Sequence, residues 1–99
     1  MYKVLKRSHG RLVTPYKEQS CKIGETIKAK NNWLKGIFNK EINGEGVHAF
    51  RNINEAIGFV YILTDNHKIY LCEIPPFTPY WIGEGGEIAA SKMIIKERV

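Results

Sequence analysis

The stretch Lys68–Ile74 is apolar on both of the faces that an extended strand would present. Side chains on a strand point to opposite faces in turn. Ile69 and Leu71 would therefore lie on one face, with Tyr70 and Cys72 on the other. A strand of this kind has to be covered on both sides, so the pattern predicts a position in the centre of a sheet.

One main helix is predicted over residues 53–63. The apolar residues that recur on one helical face are Ile53, Ala56, Ile57 and Val60. Asn52 is suited to the N-cap, and Glu55, three residues later, predicts the returning bond of a capping box. This helix is expected to bury its apolar stripe on a sheet.

Shorter segments supply the rest of the predicted sheet. Strands are expected at Tyr2–Leu5, Leu12–Val13, Glu25–Ala29, Gly46–Phe50 and Glu87–Lys96, with a turn at His9-Gly10, a long connection over residues 31–46 and a glycine-rich loop from Trp81 to Gly86. This order predicts an α+β fold, a bent and mainly antiparallel sheet with one main helix. With 99 residues, the chain is expected to form a single domain over residues 1–99.

The sequence predicts no membrane segment, cofactor or metal site. No stretch approaches the roughly 20 apolar residues that span a bilayer, and Met1–Arg7 has no apolar segment of secretory length. Cys21 and Cys72 are therefore expected to be reduced thiols in a cytoplasmic protein. No His or Cys stands at metal-ligand spacing around His48, so no metal is expected.

Positive charge is concentrated in the first half of the chain. Residues 1–49 hold ten Lys/Arg and four Glu, a net charge of +6, whereas residues 50–99 hold five Lys/Arg and six acids, a net charge of −1. A basic surface favours an anionic partner such as nucleic acid, or it serves as a solvated face that keeps the protein soluble. Lys28, Lys30 and Lys35 are the basic candidates for partner binding.

An aromatic segment follows the predicted central strand. Phe77, Tyr80 and Trp81 stand among prolines and precede the glycine-rich segment 83–86. Exposed aromatic side chains on a loop are common anchors for a partner, because they combine a large contact area with a polar tip. The alternative is that these rings fold back and cover the core.

Two resemblances add expectations. The residues Gly44-Glu45-Gly46-Val47-His48-Ala49-Phe50, followed by Asn54-Glu55-Ala56 and Tyr61, resemble the G-[IV]-H-x-F…E-A…Y pattern of small phage and large-virus domains of unassigned activity. The passage from Glu73-Ile74-Pro75 to Ala90-Ser91-Lys92-Met93-Ile94 is similar to the end of the same domains. This resemblance covers residues 44–99 and implies a shared fold.

A more distant resemblance carries a specific chemistry. ADP-ribosyltransferase-like domains have a similar Gly-x-Gly strand, a following helix and a glutamate before a later strand; the matching residues here are Gly44, Gly46, Val47, Phe50, Ala56 and Tyr61, with Glu84 or Glu87 as the glutamate. The resemblance implies an NAD-using enzyme in which Lys3, His48, Glu84 and Glu87 are the catalytic candidates. The first strand lacks the His-Gly or Arg with which such enzymes hold NAD.

We interpret the sequence as a small binding module that acts by contact and not by turnover. No Ser-His-Asp or Cys-His-Asn arrangement is indicated by residue order or spacing. The working hypothesis is a phage or mobile-element protein that binds, and inhibits, a defence or metabolic protein in the host cytoplasm. The alternatives are ADP-ribosyl transfer and nucleic-acid binding through the basic half.

Overall fold

A computed structural model describes residues 1–15, 19–29, 46–62, 66–83 and 85–99. Within these ranges the chain forms an eight-stranded sheet and one helix. The strands are β1 (Tyr2–Ser8), β2 (Arg11–Val13), β3 (Thr26–Lys28), β4 (Val47–Phe50), β5 (His67–Glu73), β6 (Tyr80–Ile82), β7 (Glu87–Ala90) and β8 (Lys92–Arg98), and the helix is α1 (Ile53–Ile62). All of these strands pair in antiparallel fashion, which confirms the predicted α+β class.

The strand order is β3-β8-β5-β1-β4-β7-β6, and β2 pairs with β1 beside this path. Strand β5 lies between β8 and β1, as its two apolar faces predict. Its pairing with β8 shifts register between Leu71 and Cys72, an irregularity of the kind that increases local twist and bends a strand. Strand β3 lies at an edge, also as predicted.

The sheet has two faces of different character. On the face that we call the core face, a single cluster of buried apolar residues comprises Leu5, Leu12, Cys21, Ile27, Val47, Ala49, Tyr70, Cys72, Ile88, Ala90, Met93 and Ile95. On the opposite face, the helix face, α1 packs against β1, β4 and β5. Ala56 and Val4 are buried there, and the small side chain of Ala56 allows the helix to approach the sheet closely.

Helix α1 begins at the predicted cap but without the predicted capping box. The Asn52 Oδ1 atom accepts a hydrogen bond of 2.8 Å from the Asn54 N–H, and the Asn52 carbonyl accepts one from the Glu55 N–H. One carboxylate oxygen of Glu55 is buried with no hydrogen-bond partner among the described residues. The predicted hydrogen bond from the Asn52 N–H to the Glu55 carboxylate is wrong, because this carboxylate lies against Gly86, which has no side chain to displace it.

Two strand predictions at the end of the chain are also wrong. Residues 80–82 form β6, although the sequence predicted a loop from Trp81 onward, because the turn at residues 83–86 closes a hairpin with β7 through a Gly83 N–H bond to the Glu87 carbonyl. The predicted single strand Glu87–Lys96 is divided at Ser91 into β7 and β8. These two strands pair at opposite ends of the sheet order, so the chain has to change direction between them.

The first hairpin extends further than predicted. The expected strand at Tyr2–Leu5 continues to Ser8, and the turn at His9-Gly10 has φ values of 52° and 78°. Two consecutive positive φ angles are characteristic of the type I′ turn, whose twist matches that of the strands it joins. No helix among the described residues is long and apolar enough to cross a membrane.

Gly58 and Gly24 provide a matched pair of alanine substitutions. A Cβ atom at either position would meet no atom within 4 Å, but Gly24 has a φ of 88°. We expect Gly58→Ala, in α1, to raise the free energy of unfolding by about 0.5 to 1 kcal/mol, because alanine loses less backbone entropy in a helix. We expect Gly24→Ala to lower it by about 1 to 2 kcal/mol, because an L side chain is strained in the left-handed region.

Denaturant unfolding of the two variants measures both effects. A matching pair of Ser substitutions is the control for side-chain size, since Ser keeps the same backbone preference as Ala for negative φ. Two shifts of the same sign would contradict the backbone conformations described above.

Candidate functional site

The loop between β5 and β6 presents a phenylalanine to solvent. Pro75 and Pro76 follow the end of β5, and Phe77 then adopts a φ of 61°, in a region that bulky residues rarely occupy. The Phe77 side chain is fully exposed. Backbone strain of this kind persists only where the surrounding structure imposes it, and it is concentrated at segments that contact ligands or partners.

The residues on the C-terminal side of Phe77 hold the loop in place. Thr78 is buried, and its hydroxyl oxygen has no hydrogen-bond partner among the described residues. The Pro79 carbonyl accepts a hydrogen bond of 3.1 Å from the Ser91 N–H, between β7 and β8. The loop is therefore attached to the sheet directly after Phe77, while the Phe77 ring itself stays exposed.

Strand β6, an edge strand of the sheet, adds further exposed apolar side chains. Tyr80 and Ile82 point to the core face, because their partners Ala90 and Ile88 belong to the core cluster. They are nevertheless 58% and 43% exposed. Trp81 points to the helix face and is half-buried. The aromatic candidates from the sequence thus divide into two exposed rings and one that is partly covered.

We call Phe77, Tyr80, Trp81 and Ile82 the aromatic edge. No charged residue occurs from Ile74 to Gly83, although a quarter of the whole chain is charged. Tyr80 and Ile82 are exposed on the same face of β6, and exposed apolar side chains grouped in this way are typical of an interaction surface. Ile82 is not among the residues predicted from the sequence to bind a partner. The signal for it is its alternation with Tyr80, which places both on one face of a strand.

The basic candidates lie elsewhere. Lys28 is exposed on β3, directly opposite Lys92 of β8, at the other end of the strand order from β6. Lys30 and Lys35 lie outside the described residues. The structure therefore does not place Lys28 next to the aromatic edge along the sheet.

Lys3 is buried where β1 and β4 separate. These strands pair at Tyr2 and Phe50, and one residue further along β1 the Lys3 amine donates a hydrogen bond of 2.5 Å to the His48 carbonyl. A side-chain donor thus takes the place of a backbone N–H. Lys3 is only 5% exposed, and its strand position puts it on the core face with Leu5.

Burial lowers the pKa of Lys3 from 10.5 to about 8, because the core solvates a charged amine poorly. The thiols of Cys72 and Cys21 partly offset this effect through their interaction with the amine. Burial in turn raises the pKa of both thiols, so both remain protonated. Both cysteines are buried and neither forms a disulfide, as the sequence predicted.

The other catalytic candidates point away from the Lys3 amine. The alternation along β4 puts the His48 side chain on the helix face, while its carbonyl binds Lys3. The Glu87 carboxylate lies against its own hairpin loop, where a Cβ on Gly85 would come within 2.7 Å of it. Glu84 lies outside the described residues.

An open cleft of about 510 Å³ lies beside the start of α1. Its lining residues are Tyr2, Arg51, Asn52, Ile53, Glu55 and Gly86. The guanidinium of Arg51 and the carboxylate of Glu55 give it groups of both charges. Among the described residues, no group of three or more His, Cys, Asp or Glu side chains could hold a metal ion. The sequence indicates Glu55 as a capping residue and as part of the resemblance to phage domains, but not as a residue of a cleft.

Lys3→Met tests the buried amine. Between pH 8 and 10.5 the unfolded chain keeps a proton on Lys3 that the folded chain has released. The free energy of unfolding should therefore rise with pH through this window because of Lys3, by about 3 kcal/mol in total at about 1.4 kcal/mol per pKa unit. The variant lacks this contribution, so any stability advantage that it has near pH 7 should shrink by that amount as the pH rises.

Urea unfolding of both proteins at several pH values from 7 to 10.5 measures the difference. Because the Lys3 amine lowers the pKa of both thiols, its removal would raise these pKa values further and add to the effect. Both proteins therefore carry Cys21→Ala and Cys72→Ala, so that no thiol titrates. A difference that does not change with pH would contradict the burial of Lys3.

Comparison with known proteins does not assign this chain to a family. No family model, no curated protein and no solved structure matches it. The resemblances to viral domains and to ADP-ribosyltransferase-like domains therefore stay predictions.

Proposed function

We propose that this protein is a binding module that contacts a partner protein through the aromatic edge. The observation that carries the proposal is the fully exposed Phe77 side chain on a strained and anchored backbone. Tyr80 and Ile82, in the same uncharged segment of the chain, add exposed apolar area on β6. The resemblance to phage domains supports a host protein as the partner, with inhibition of a defence or metabolic protein as the consequence of binding.

The energetics favour Phe77 as an anchor. Complete burial of a phenylalanine side chain contributes roughly 1.5 to 3 kcal/mol, and such anchors dominate the affinity of many interfaces. Pro75, Pro76 and Pro79 restrict the backbone around the ring, so little further ordering is required when it binds. A flexible loop would lose part of the same interaction energy to ordering.

The enzymatic alternative, ADP-ribosyl transfer with NAD, has less support among the described residues. Lys3 is engaged inside the core, and the Glu87 carboxylate packs against its own hairpin. Transfer of label from NAD to proteins of a host lysate, abolished by Glu87→Gln, would favour the enzyme over the binding module.

Site-specific photo-cross-linking tests the proposal. A photoreactive phenylalanine analogue is incorporated at Phe77 in one protein and at Ile23, which is 56% exposed outside the aromatic edge, in another. We expect one predominant host protein to be cross-linked from position 77 and not from position 23. Mass spectrometry identifies it, and the same diffuse set of products from both positions would contradict the proposal.

Phe77→Ala should weaken binding of that cross-linked partner by at least tenfold, a loss of about 1.4 kcal/mol or more. The fold should be unaffected, because the ring is fully exposed. Ile23→Ala, the matched control for loss of an exposed apolar side chain, should leave the affinity unchanged. Calorimetric titration with the purified partner measures both variants, and equal affinities for the two would exclude Phe77 as the anchor.

A further inference from the structure

The β1–β2 hairpin projects beyond the strands that flank it. Strand β5 accompanies β1 as far as the pair Lys6 and His67, and the Asn66 carbonyl accepts one more bond from the Arg7 N–H. Ser8 and Arg11 pair with each other next to the type I′ turn. On the other side, the Leu12 carbonyl accepts a hydrogen bond from the Cys21 N–H, so β2 is flanked as far as Leu12. Ser8, Arg11 and the two turn residues between them therefore extend past the flanking segments.

Cationic side chains cover both faces of this hairpin. Arg7 pairs with Leu12, a member of the core cluster, so both point to the core face. Arg11 pairs with Ser8 and points to the opposite face. Arg7, Arg11 and the turn residue His9 are all exposed, and the exposed Lys68 adds a further charge at the start of β5.

Within the described parts of β1, β2 and the first half of β5, no acidic residue lies beside these groups; the acidic residue at the end of β8, Glu97, lies opposite Leu71. Residues 1–15, 19–24 and 66–72 contain no Asp or Glu. Concentrated positive charge of this kind is unfavourable in the isolated protein and becomes favourable beside a polyanion, where condensed counterions are released.

We propose that this hairpin inserts into the major groove of duplex DNA, with Arg7 and Arg11 contacting phosphates on the two opposite backbones. This surface is separate from the aromatic edge and does not depend on the proposed protein partner. A two-stranded β-ribbon fits the major groove, which is about 12 Å wide and 8.5 Å deep. Cations on both faces of the hairpin match the two walls of the groove.

The hairpin is less suited to single strands. Proteins that bind single-stranded nucleic acid without sequence preference stack bases on aromatic side chains along one positive groove. Residues 6–13 contain no Phe, Tyr or Trp, and the two arginines diverge to opposite faces. A duplex is therefore the ligand that uses both arginines at once.

Fluorescence anisotropy with an end-labelled DNA duplex and with one of its strands alone tests the proposal. We expect the duplex to bind more tightly than the single strand, with an affinity that falls linearly with salt on a logarithmic scale. Tighter binding of the single strand would overturn the proposal. So would displacement of the duplex by polyglutamate as effectively as by unlabelled DNA at equal charge, because the surface would then recognise acidic protein.

Two double variants separate the hairpin from overall charge. Arg7→Gln/Arg11→Gln and Arg51→Gln/Lys92→Gln remove the same charge, but Arg51 and Lys92 lie at the opposite end of β1 and β5. The first variant should reduce the magnitude of the salt slope by about 2, roughly one for each phosphate that an arginine no longer neutralises, and the second should leave it unchanged. Circular dichroism confirms that both variants are folded. Equal reductions in the two variants would overturn the proposal in favour of non-specific charge.

Discussion

Strand β1 is the constraint on which the other features of the structure depend, because three strands share its two edges. Strand β5 pairs along one edge from Tyr2 to Lys6. On the other edge, β4 pairs at Tyr2 and β2 pairs from Lys6 to Ser8. The intervening residues of that edge have no ladder partner within the described parts of the chain, so the sheet opens between β4 and β2.

The opening explains why a lysine can occupy the core. A buried carbonyl without a donor costs roughly 1 to 3 kcal/mol, and at His48 the Lys3 amine provides that donor. The cost is transferred to the amine, whose burial lowers its pKa to about 8. An apolar residue at position 3 would remove the buried charge but leave the carbonyl unsatisfied. Either choice at position 3 therefore carries the cost of one buried polar group, the amine of a lysine or the unsatisfied carbonyl beside an apolar residue. A lysine there need not have a catalytic role.

The sequence predicts best those elements whose signal is local. The two apolar faces of β5, the Asn52 cap and the His9-Gly10 turn each depend on side chains within a few residues, and each is present. Strand β6 is not predicted because it pairs only with β7, which the chain reaches after the turn at residues 83–86. The division of residues 87–96 into β7 and β8 at Ser91 is not predicted either, because the apolar pattern continues through it. The burial of Lys3 depends on a carbonyl 45 residues away. No periodic pattern encodes that contact.

In the candidate site, too, features with a local sequence signal are predictable and features that depend on strand pairing are not. Exposed aromatic residues could be expected from their position among prolines, whereas the positive φ of Phe77 and the partial burial of Trp81 follow only from how β6 pairs with β7. Charge counting identified a basic half but selected Lys28, since composition gives no information about which cations a hairpin brings together. Arg7 and Arg11 are separated by an intervening turn in the sequence, and it is the antiparallel register that makes them neighbours on opposite faces.

The two proposed surfaces depend on different forces, which follows from how each is built. The aromatic edge has no charged residue between Ile74 and Gly83, so its contribution comes from apolar burial and responds little to salt. The hairpin offers almost no apolar area, so its contribution comes from counterion release and disappears at high salt. Charge mainly accelerates the encounter and buried aromatic anchors mainly slow dissociation. Because strands β4 and β7 lie between β1 and β6 in the sheet, occupying one surface need not alter the other.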